Sequence, residues 1–352
     1  MDTSNTMAPL LSVRNLRKYF PVKGGIFGRV QAWVQAVDNV SFEVVPGETM
    51  GIVGESGCGK STTARLIMRL IDTDKGKIFF EGKDVLATGK QELKTIRRHM
   101  QMVFQDSHTS LNPRMNIEDT VAFNLMVHGV KRAEARDRVY TVFRHVGLAP
   151  DLLGRRYPHE LSGGQRQRVN IARALALEPK LLFLDEAVSA LDKSIQAQVL
   201  NLLLDLKAKL GLTYIFISHD LNVIEYFSDR VMVMYLGQIV EVGTAQELSE
   251  NPLHPYTRAL FASAPSMDPD RRLEAPPITG DPPNPINPPT GCRFHTRCRF
   301  AEPECSRETP EFITIDATRQ VACFLYDSSS KMGGRDNLGA SVTGSPTPMA
   351  SP

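Results

Sequence analysis

The sequence has no long apolar run and almost no imbalance of charge. Nowhere in its 352 residues do about eighteen uncharged apolar residues follow one another, the length needed for a membrane-spanning helix. The first residues, MDTSNTMAPLLSV, lack the basic region and apolar core of a secretory signal. The 41 basic and 39 acidic residues leave a formal charge of +2, too little to attract nucleic acid or anionic lipid strongly. We therefore expect a cytoplasmic chain with no nucleic-acid partner, which contacts a membrane only through another subunit.

Cysteine is scarce except near the C-terminal end. Four of the five cysteines lie between Cys292 and Cys323. In a reducing compartment this clustering favours a metal or an iron–sulfur cluster over disulfides.

Changes in composition divide the chain into four parts. After a tail of residues 1–10, residues 11–260 alternate strand-like runs such as TMGIV, KIFF, LLFLD, TYIFIS and RVMVMY with helix-like stretches. This alternation predicts an α/β domain with a largely parallel sheet. Residues 261–326 comprise a proline-rich connector and a small module that contains the cysteines, and residues 327–352 are rich in Gly, Ser and Pro, which predicts a disordered tail.

The segment GESGCGKST, residues 54–62, lies between a strand-like and a helix-like run. Glycines permit backbone angles and close approaches that a Cβ would obstruct, and the helix N-terminus offers N–H donors to an anion. Lys60 supplies a mobile charge for β and γ phosphates, and Ser61 can bind Mg²⁺. The match to GxxxxGK[ST] favours a phosphate-binding loop over an ordinary turn. The predicted nucleotide contacts are Gly54, Glu55, Ser56, Gly57, Cys58, Gly59, Lys60, Ser61 and Thr62.

Cys58 lies inside this loop at a position that favours packing. Its place at a helix N-terminus also predicts a stabilised thiolate, whose alkylation bound ATP should slow.

Two later strand-like runs end in polar side chains. LLFLDE ends in Asp185, which can hold Mg²⁺ beside Ser61, and Glu186, which is placed to polarise the water that attacks the γ phosphate. TYIFISHD ends near His219, whose imidazole can bind the γ phosphate and hold the water and Glu186 in register.

A second small-residue loop occurs in LSGGQRQRVNIARALALEPK, residues 161–180. Ser162, Gly163 and Gly164 precede a helix-like pattern and form a second anion-binding helix N-terminus, although the sequence has one phosphate-loop lysine. A helix cap followed by a basic amphipathic helix explains the arginines but not the whole string. We infer that this loop closes on the γ phosphate bound by a neighbouring subunit, which gives two composite sites in a head-to-tail pair.

Together, GESGCGKS, LSGGQ, LLFLDE and ISHD resemble the ATP-binding cassette (ABC) ATPases over residues 11–260. The resemblance implies a P-loop NTPase core with a mixed sheet, a helical subdomain at about 106–175, and binding of ATP and Mg²⁺. It also implies that Gln105, in MVFQD, senses Mg²⁺ and the attacking water and links the core to the helical subdomain.

The same resemblance implies further nucleotide contacts. Gln165 belongs to the LSGGQ loop, and Asp192, in SALD, matches the aspartate of the loop that crosses the dimer interface. Phe20, or alternatively Tyr19, in RKYF, matches the aromatic that stacks on adenine. The chain departs from the family at Ala187, where proline usually follows the catalytic glutamate, so hydrolysis should persist while the following loop becomes less rigid.

Four other strings, QDSHTSLNPRM, RYPHELSGGQRQR, NPLHPYTRAL and NPPTGCRFHTRCRFAEPEC, resemble the ATP-binding subunits of bacterial dipeptide and oligopeptide importers. Relatives in that family carry nickel, glutathione or opines instead. The resemblance implies work at the cytoplasmic face of the inner membrane with a second ABC ATPase, either a paralogue or a second copy. It also implies two permeases, contacted through the subdomain after Gln105, and an extracytoplasmic solute-binding protein. The alternative of a soluble ABC ATPase predicts two cassettes or a long coiled-coil insertion, which the sequence lacks.

The four clustered cysteines are Cys292, Cys298, Cys305 and Cys323. They contain no CxxC pair of the kind zinc favours, whereas iron–sulfur clusters tolerate varied spacing of four thiolates. Importers with the same GCxFxxRC pattern resemble proteins that carry a [4Fe-4S] cluster here, which favours a structural cluster, with zinc and free or disulfide-bonded thiols as alternatives. His295 is a surface residue or an additional ligand.

Overall fold

A computed structural model describes residues 8–24, 28–105, 110–263, 280–330 and Met332. Parts of four predicted features lie outside the described residues: the N-terminal tail through residue 7, the start of the helical subdomain at 106–109, most of the proline-rich connector at 264–279, and the C-terminal tail at 331 and 333–352.

Within the described residues, eight strands form the main sheet. Their spatial order is β11 (Ile313–Thr314), β12 (Gln320–Val321), β10 (Gln238–Thr244), β9 (Arg230–Tyr235), β3 (Thr49–Val53), β8 (Thr213–Ile217), β7 (Leu181–Asp185) and β6 (Met100–Val103). The strands from β9 to β6 run parallel, and β10, β12 and β11 are antiparallel additions. The predicted α/β fold with a mixed sheet is confirmed.

A second sheet has four antiparallel strands in the described part of the chain. Its order is β2 (Arg29–Val44), β1 (Leu11–Gly24), β4 (Lys75–Phe80) and β5 (Lys83–Asp84). The expectation that the KIFF run joins a parallel sheet is therefore wrong. That run lies in β4, which pairs with β1 instead, and a short apolar run does not by itself specify its partner.

The helices connect and cover these strands. In chain order they are α1 (Lys60–Ile67), α2 (Lys90–His99), α3 (Ile117–Val127), α4 (Arg132–His145), α5 (Pro150–Leu153), α6 (Gly163–Leu175), α7 (Lys193–Leu210), α8 (Leu221–Phe227), α9 (Ala245–Glu250), α10 (Pro255–Ala262) and α11 (Pro303–Arg307). No helix in the described ranges is both long and apolar enough to span a bilayer.

The main sheet is buried on both faces, because successive side chains of a strand point to opposite sides. Ile215 and Ile217 of β8 pack in the core shared with α1 and the second sheet. Tyr214 and Phe216 face the other core, which contains α3, α4, α6 and α7. Because β3, β8 and β7 are parallel neighbours, their carboxyl ends lie at the same edge of the sheet.

The C-terminal module is built onto the main sheet. β12 pairs with Glu241 and Val242 of β10 and so extends the sheet at its edge. Met332 is buried, and its sulfur lies 3.7 Å from Cys305 Sγ.

Candidate functional site

The loop between β3 and α1 requires glycine at three positions. Gly54, Gly57 and Gly59 have φ angles of 147°, 78° and 106°, which residues with a Cβ rarely adopt. A Cβ on Gly54 would lie 2.1 Å from the Met234 carbonyl oxygen, and one on Gly59 would lie 2.2 Å from that of Ala36. The predicted order of strand, glycine loop and helix is present, and its backbone forms a cradle suited to an anion.

Lys60 directs its ammonium group into this loop. Its Nζ donates to the Gly54 carbonyl oxygen at 2.6 Å and to that of Glu55 at 3.1 Å. Carbonyl dipoles satisfy the donors of the ammonium group without cancelling its charge. The loop therefore holds a buried positive charge that can meet a phosphate. Ser56 is exposed, and Thr62 is half-buried in the first turn of α1.

The prediction of a reactive Cys58 thiolate is wrong. The side chain is buried, and burial raises the pKa of its thiol despite the opposing effect of Lys60. Loss of hydration disfavours the thiolate more than the neighbouring charge and the helix N-terminus favour it. The packing role that its position also suggested agrees with its burial.

Ser61 and Asp185 join the loop to the end of β7. Ser61 Oγ donates a 2.7 Å hydrogen bond to Asp185 Oδ1. Burial, together with the nearby Glu186 carboxylate, raises the pKa of Asp185. A half-buried hydroxyl beside a carboxylate is an oxygen donor set that suits Mg²⁺.

Glu186 occupies a strained position at the carboxyl end of β7. Its φ of 49° lies in the left-handed region, which costs free energy for a residue with a Cβ. Glu186 Oε2 accepts a 2.7 Å hydrogen bond from Gln105 Nε2, and His219 Nδ1 lies 3.4 Å from the same oxygen. Three residues that sequence analysis selected separately thus meet at one carboxylate. The following Ala187 is buried, and the Ser189 hydroxyl and amide bond back to the Glu186 carbonyl.

The second glycine loop begins α6 with a reciprocal cap. The backbone amide of Gln165 donates to Ser162 Oγ at 3.3 Å, and the backbone amide of Ser162 donates to the side-chain Oε1 of Gln165 at 3.0 Å. Gly164 is buried, and an added Cβ would lie 2.7 Å from Ile195 Cγ2 on α7, whereas Gly163 is half-buried. The loop is therefore a well-formed helix N-terminus with small residues at its tip.

Asp192 caps the next long helix. Its Oδ1 accepts hydrogen bonds from the Ile195 amide at 2.9 Å and the Ser194 hydroxyl at 2.8 Å. These bonds lower the pKa of the exposed Asp192 carboxyl. The family resemblance assigns Asp192 to an interface and does not indicate this capping function, although an aspartate before a helix-like run is a recognised cap signal.

The two candidate adenine-stacking aromatics lie next to each other on β1. The Tyr19 hydroxyl donates to Asp38 Oδ1 at 2.8 Å, and burial together with this bond raises the Tyr19 pKa. Lys18 Nζ lies 5.5 Å from the centre of the half-buried Phe20 ring. β2 runs beside both residues and contacts the glycine loop at Ala36, so this part of β1 lies near the loop.

The four clustered cysteines line one small pocket of about 20 Å³, room for roughly one water molecule. No disulfide joins any of the five cysteines, so the disulfide alternative is not present. Burial raises the pKa of Cys292 to about 11 and that of Cys323 to about 12. In the part of the chain that the structure describes, no three His, Cys, Asp or Glu side chains are arranged to hold a metal ion. His295 lines the same pocket, and its Nδ1 lies 2.8 Å from the Cys292 carbonyl oxygen.

An apolar groove of about 550 Å³ lies between the end of β6 and α3. Phe104, next to Gln105, and Phe123 of α3 line it and are 38% and 52% exposed. Exposed aromatic side chains grouped in a groove are typical of a protein contact surface.

A contact that none of the sequence motifs indicates joins the cysteine module to the glycine loop. Arg297 Nη1 donates to Glu55 Oε2 at 3.0 Å and to Oε1 at 3.1 Å. These residues are 242 positions apart, and no local pattern pairs them.

Comparison with known proteins gives matches to two family profiles. The ABC transporter profile covers residues 37–189, and the oligopeptide/dipeptide transporter C-terminal region covers residues 240–305. The chain is 48% identical to the oligopeptide transport ATP-binding protein AppF of Bacillus subtilis, over 92% of this chain and 99% of that protein. It is 50% identical to the oligopeptide transport ATP-binding protein OppF of Salmonella typhimurium, over 90% of this chain and 96% of that protein.

Solved structures share the fold. The ATP-binding cassette MJ0796, in a dimeric post-hydrolysis state bound to ADP and Pi, has a TM-score of 0.59 and 28% identity. The alignment covers 67% of this chain and 98% of that structure. The similarity to oligopeptide transport proteins extends further, over nearly the whole chain.

Proposed function

The chain belongs to the ABC transporter ATPase family, and we propose that it hydrolyses ATP to drive import of dipeptides or oligopeptides through partner permeases. The observation that carries this proposal is the meeting of Gln105, Glu186 and His219 next to the Ser61–Asp185 link. The two relatives named above are oligopeptide transport proteins, which favours peptides over nickel, glutathione or opines and over a non-transport ATPase.

The glycine loop would bind the phosphates of ATP. Its backbone N–H groups and Lys60 would contact the phosphate oxygens, and Phe20 would stack on adenine because Tyr19 is engaged with Asp38. Ser61, Asp185 and Gln105 would hold Mg²⁺. When bound, this ion neutralises charge that develops on the phosphates.

Glu186 would act on the attacking water. Its carboxylate accepts the water proton, and the Gln105 amide and the His219 ring restrict the orientation of that carboxylate. The strained backbone at Glu186 is consistent with a side chain held for chemistry rather than for packing.

A second ATPase subunit would complete the site. The Ser162 loop forms an ordered helix N-terminus and is well suited to bind a γ phosphate on the opposing chain. Gln165 and Asp192 would lie at the same interface. The dimeric state of the similar cassette MJ0796 supports a paired arrangement. The second subunit is a paralogue or a second copy of this chain.

The apolar groove would bind a helix of a permease subunit at the cytoplasmic face of the inner membrane. Phe104 on its wall directly precedes Gln105, whose amide contacts Glu186, so movement in the groove has a short covalent route to the hydrolytic site. An extracytoplasmic binding protein would deliver the peptide to these permeases.

The four cysteines would hold a structural [4Fe-4S] cluster, with zinc as the alternative. Four thiols in one pocket are the donor set that either group requires, but the pocket must open, and the thiols must lose protons, to admit it. Anaerobic purification followed by iron, sulfide and zinc analysis tests this proposal. Zinc without iron contradicts the cluster.

Uptake in cells tests the transport function. Cells that carry K60A in place of the native chain should lose accumulation of a labelled tripeptide, while K60R should retain a small fraction because the charge remains. Uptake of labelled nickel and glutathione, measured in the same cells, identifies the alternative cargoes. Tripeptide uptake that is unchanged in K60A contradicts the proposal.

A further inference from the structure

The second residue of the glycine loop, Glu55, carries a carboxylate, although the loop is proposed to bind an anion. Glu55 is half-buried, and its backbone carbonyl is one of the acceptors for Lys60. An uncompensated carboxylate beside bound phosphates would repel them. The loop therefore needs a cation to neutralise Glu55, and Lys60 is required for the phosphates.

Arg297 of the cysteine module supplies that cation. Its guanidinium contacts both Glu55 oxygens, with Nη1 at 3.0 and 3.1 Å and Nη2 at 3.1 Å from Oε1. The Arg297 side chain is 7% exposed and that of Glu55 23% exposed, so water screens the pair only weakly. This forked contact fixes both the charge and the direction of the Glu55 side chain.

The surroundings of Arg297 hold it in place independently of Glu55. Its Nη2 donates to the Gly280 carbonyl oxygen at 2.9 Å, and its Nη1 donates to the Tyr235 hydroxyl at 3.2 Å. Tyr235 packs edge-on against Phe294 of the cysteine module, with ring centres 5.3 Å apart. The guanidinium is thus fixed before any ligand binds, which lowers the entropic cost of holding Glu55.

The backbone of Glu55 is held from the same side. The Glu55 amide donates a 2.9 Å hydrogen bond to the hydroxyl of Tyr256, a fully buried residue of α10. The Tyr256 ring lies 5.4 Å from that of Phe294. Side chain and backbone of one loop residue are therefore both attached to the C-terminal part of the chain.

We propose that Arg297 is a positioning residue for the nucleotide site, which neutralises and orients Glu55 so that the glycine loop can accept phosphates. The proposal rests on the proposed ATP site. It gives the C-terminal module a direct effect on nucleotide affinity, separate from the contents of the cysteine pocket.

Binding of Mg–ADP to the full-length chain, measured by calorimetry, tests the proposal without hydrolysis. R297Q leaves Glu55 unpaired and should raise the Kd roughly tenfold, the effect of losing a hydrogen bond between charged groups. R297K keeps the charge without the forked geometry and should raise the Kd only about threefold. R299Q is the control, since Arg299 is an exposed residue of the same module that lies over the Phe300 ring.

The double variant E55Q/R297Q separates neutralisation from general stabilisation. With no carboxylate left to repel phosphate, its Kd should return to within about threefold of the wild-type value. A merely structural Arg297 would leave the double variant at least as weak as R297Q. In ATP hydrolysis, R297Q should raise KM far more than it lowers kcat, because Arg297 does not touch the water or Glu186.

The outcomes distinguish this inference from the function on which it rests. A wild-type chain that does not bind Mg–ADP overturns the proposed function and the inference with it. Wild-type binding with an unchanged Kd in R297Q, or a double variant as weak as R297Q, overturns the inference alone. If R297Q does not fold, as judged by circular dichroism, R297K provides the test, and a wild-type Kd for R297K contradicts the inference.

Discussion

Gln105 donates a 2.7 Å hydrogen bond from its side-chain amide to Glu186, although they are 81 positions apart in the sequence. Gln105 follows β6 and Glu186 follows β7, and these strands are parallel neighbours. Their carboxyl ends therefore bring the two side chains to the same edge of the sheet. This contact joins the part of the chain that faces the apolar groove to the carboxylate proposed to activate water.

The substitution E186Q should leave nucleotide binding intact and slow hydrolysis. Removing a positioned general base costs roughly 10²-fold or more, while the loop that would bind phosphate is unchanged. Single-turnover phosphate release and Mg–ATP binding, measured on the same protein, separate the two effects. E225Q, a change at an exposed glutamate of α8, is the matched control. Near-normal turnover in E186Q would rule out the role assigned to Glu186.

The substitution S61A should raise the Mg²⁺ concentration needed for hydrolysis about tenfold, the effect of losing one oxygen ligand. S61T keeps the hydroxyl and should behave like the wild-type protein. Titration of ATPase activity with Mg²⁺ at saturating ATP gives the comparison. Equal half-saturating concentrations in S61A and S61T would show that the Ser61 hydroxyl does not contact the ion.

Much of the site can be predicted from sequence because its motifs are short and local. The glycine loop and the carboxylates at the end of β7 are read directly from adjacent residues. The strand order is harder, since the apolar run in β4 has no feature that distinguishes pairing with β1 from a place in the main sheet. Contacts such as Arg297 with Glu55 depend on the tertiary fold and have no local signal.

Cys58 shows how burial can reverse a local prediction. Because burial raises the pKa of Cys58, its thiolate fraction at pH 8 is smaller than that of an exposed thiol and increases only at higher pH. Iodoacetamide should label Cys58 slowly in the native protein, with or without ATP, and rapidly in guanidinium chloride. Peptide mass spectrometry measures both. Fast native labelling that ATP prevents would restore the reactive-thiolate hypothesis.

The substitution F123S should separate ATP hydrolysis from transport. Phe123 is 52% exposed in the apolar groove, so its removal should weaken a permease contact while changing stability little. Peptide uptake should fall several-fold, with the ATPase activity of the isolated chain retained. L152S, at an exposed leucine of α5, is the control. Equal uptake in the two variants would place the permease contact elsewhere.

The central claim is that each nucleotide is bound between two chains. Sedimentation of the E186Q protein with Mg–ATP, alone and mixed with the second cassette subunit of the same transporter, tests this most directly. The account predicts a dimer in at least one of these samples, which S162R should abolish because a large side chain blocks the loop that meets the opposing phosphate. A saturated, Mg–ATP-bound protein that remains monomeric in both samples would contradict it.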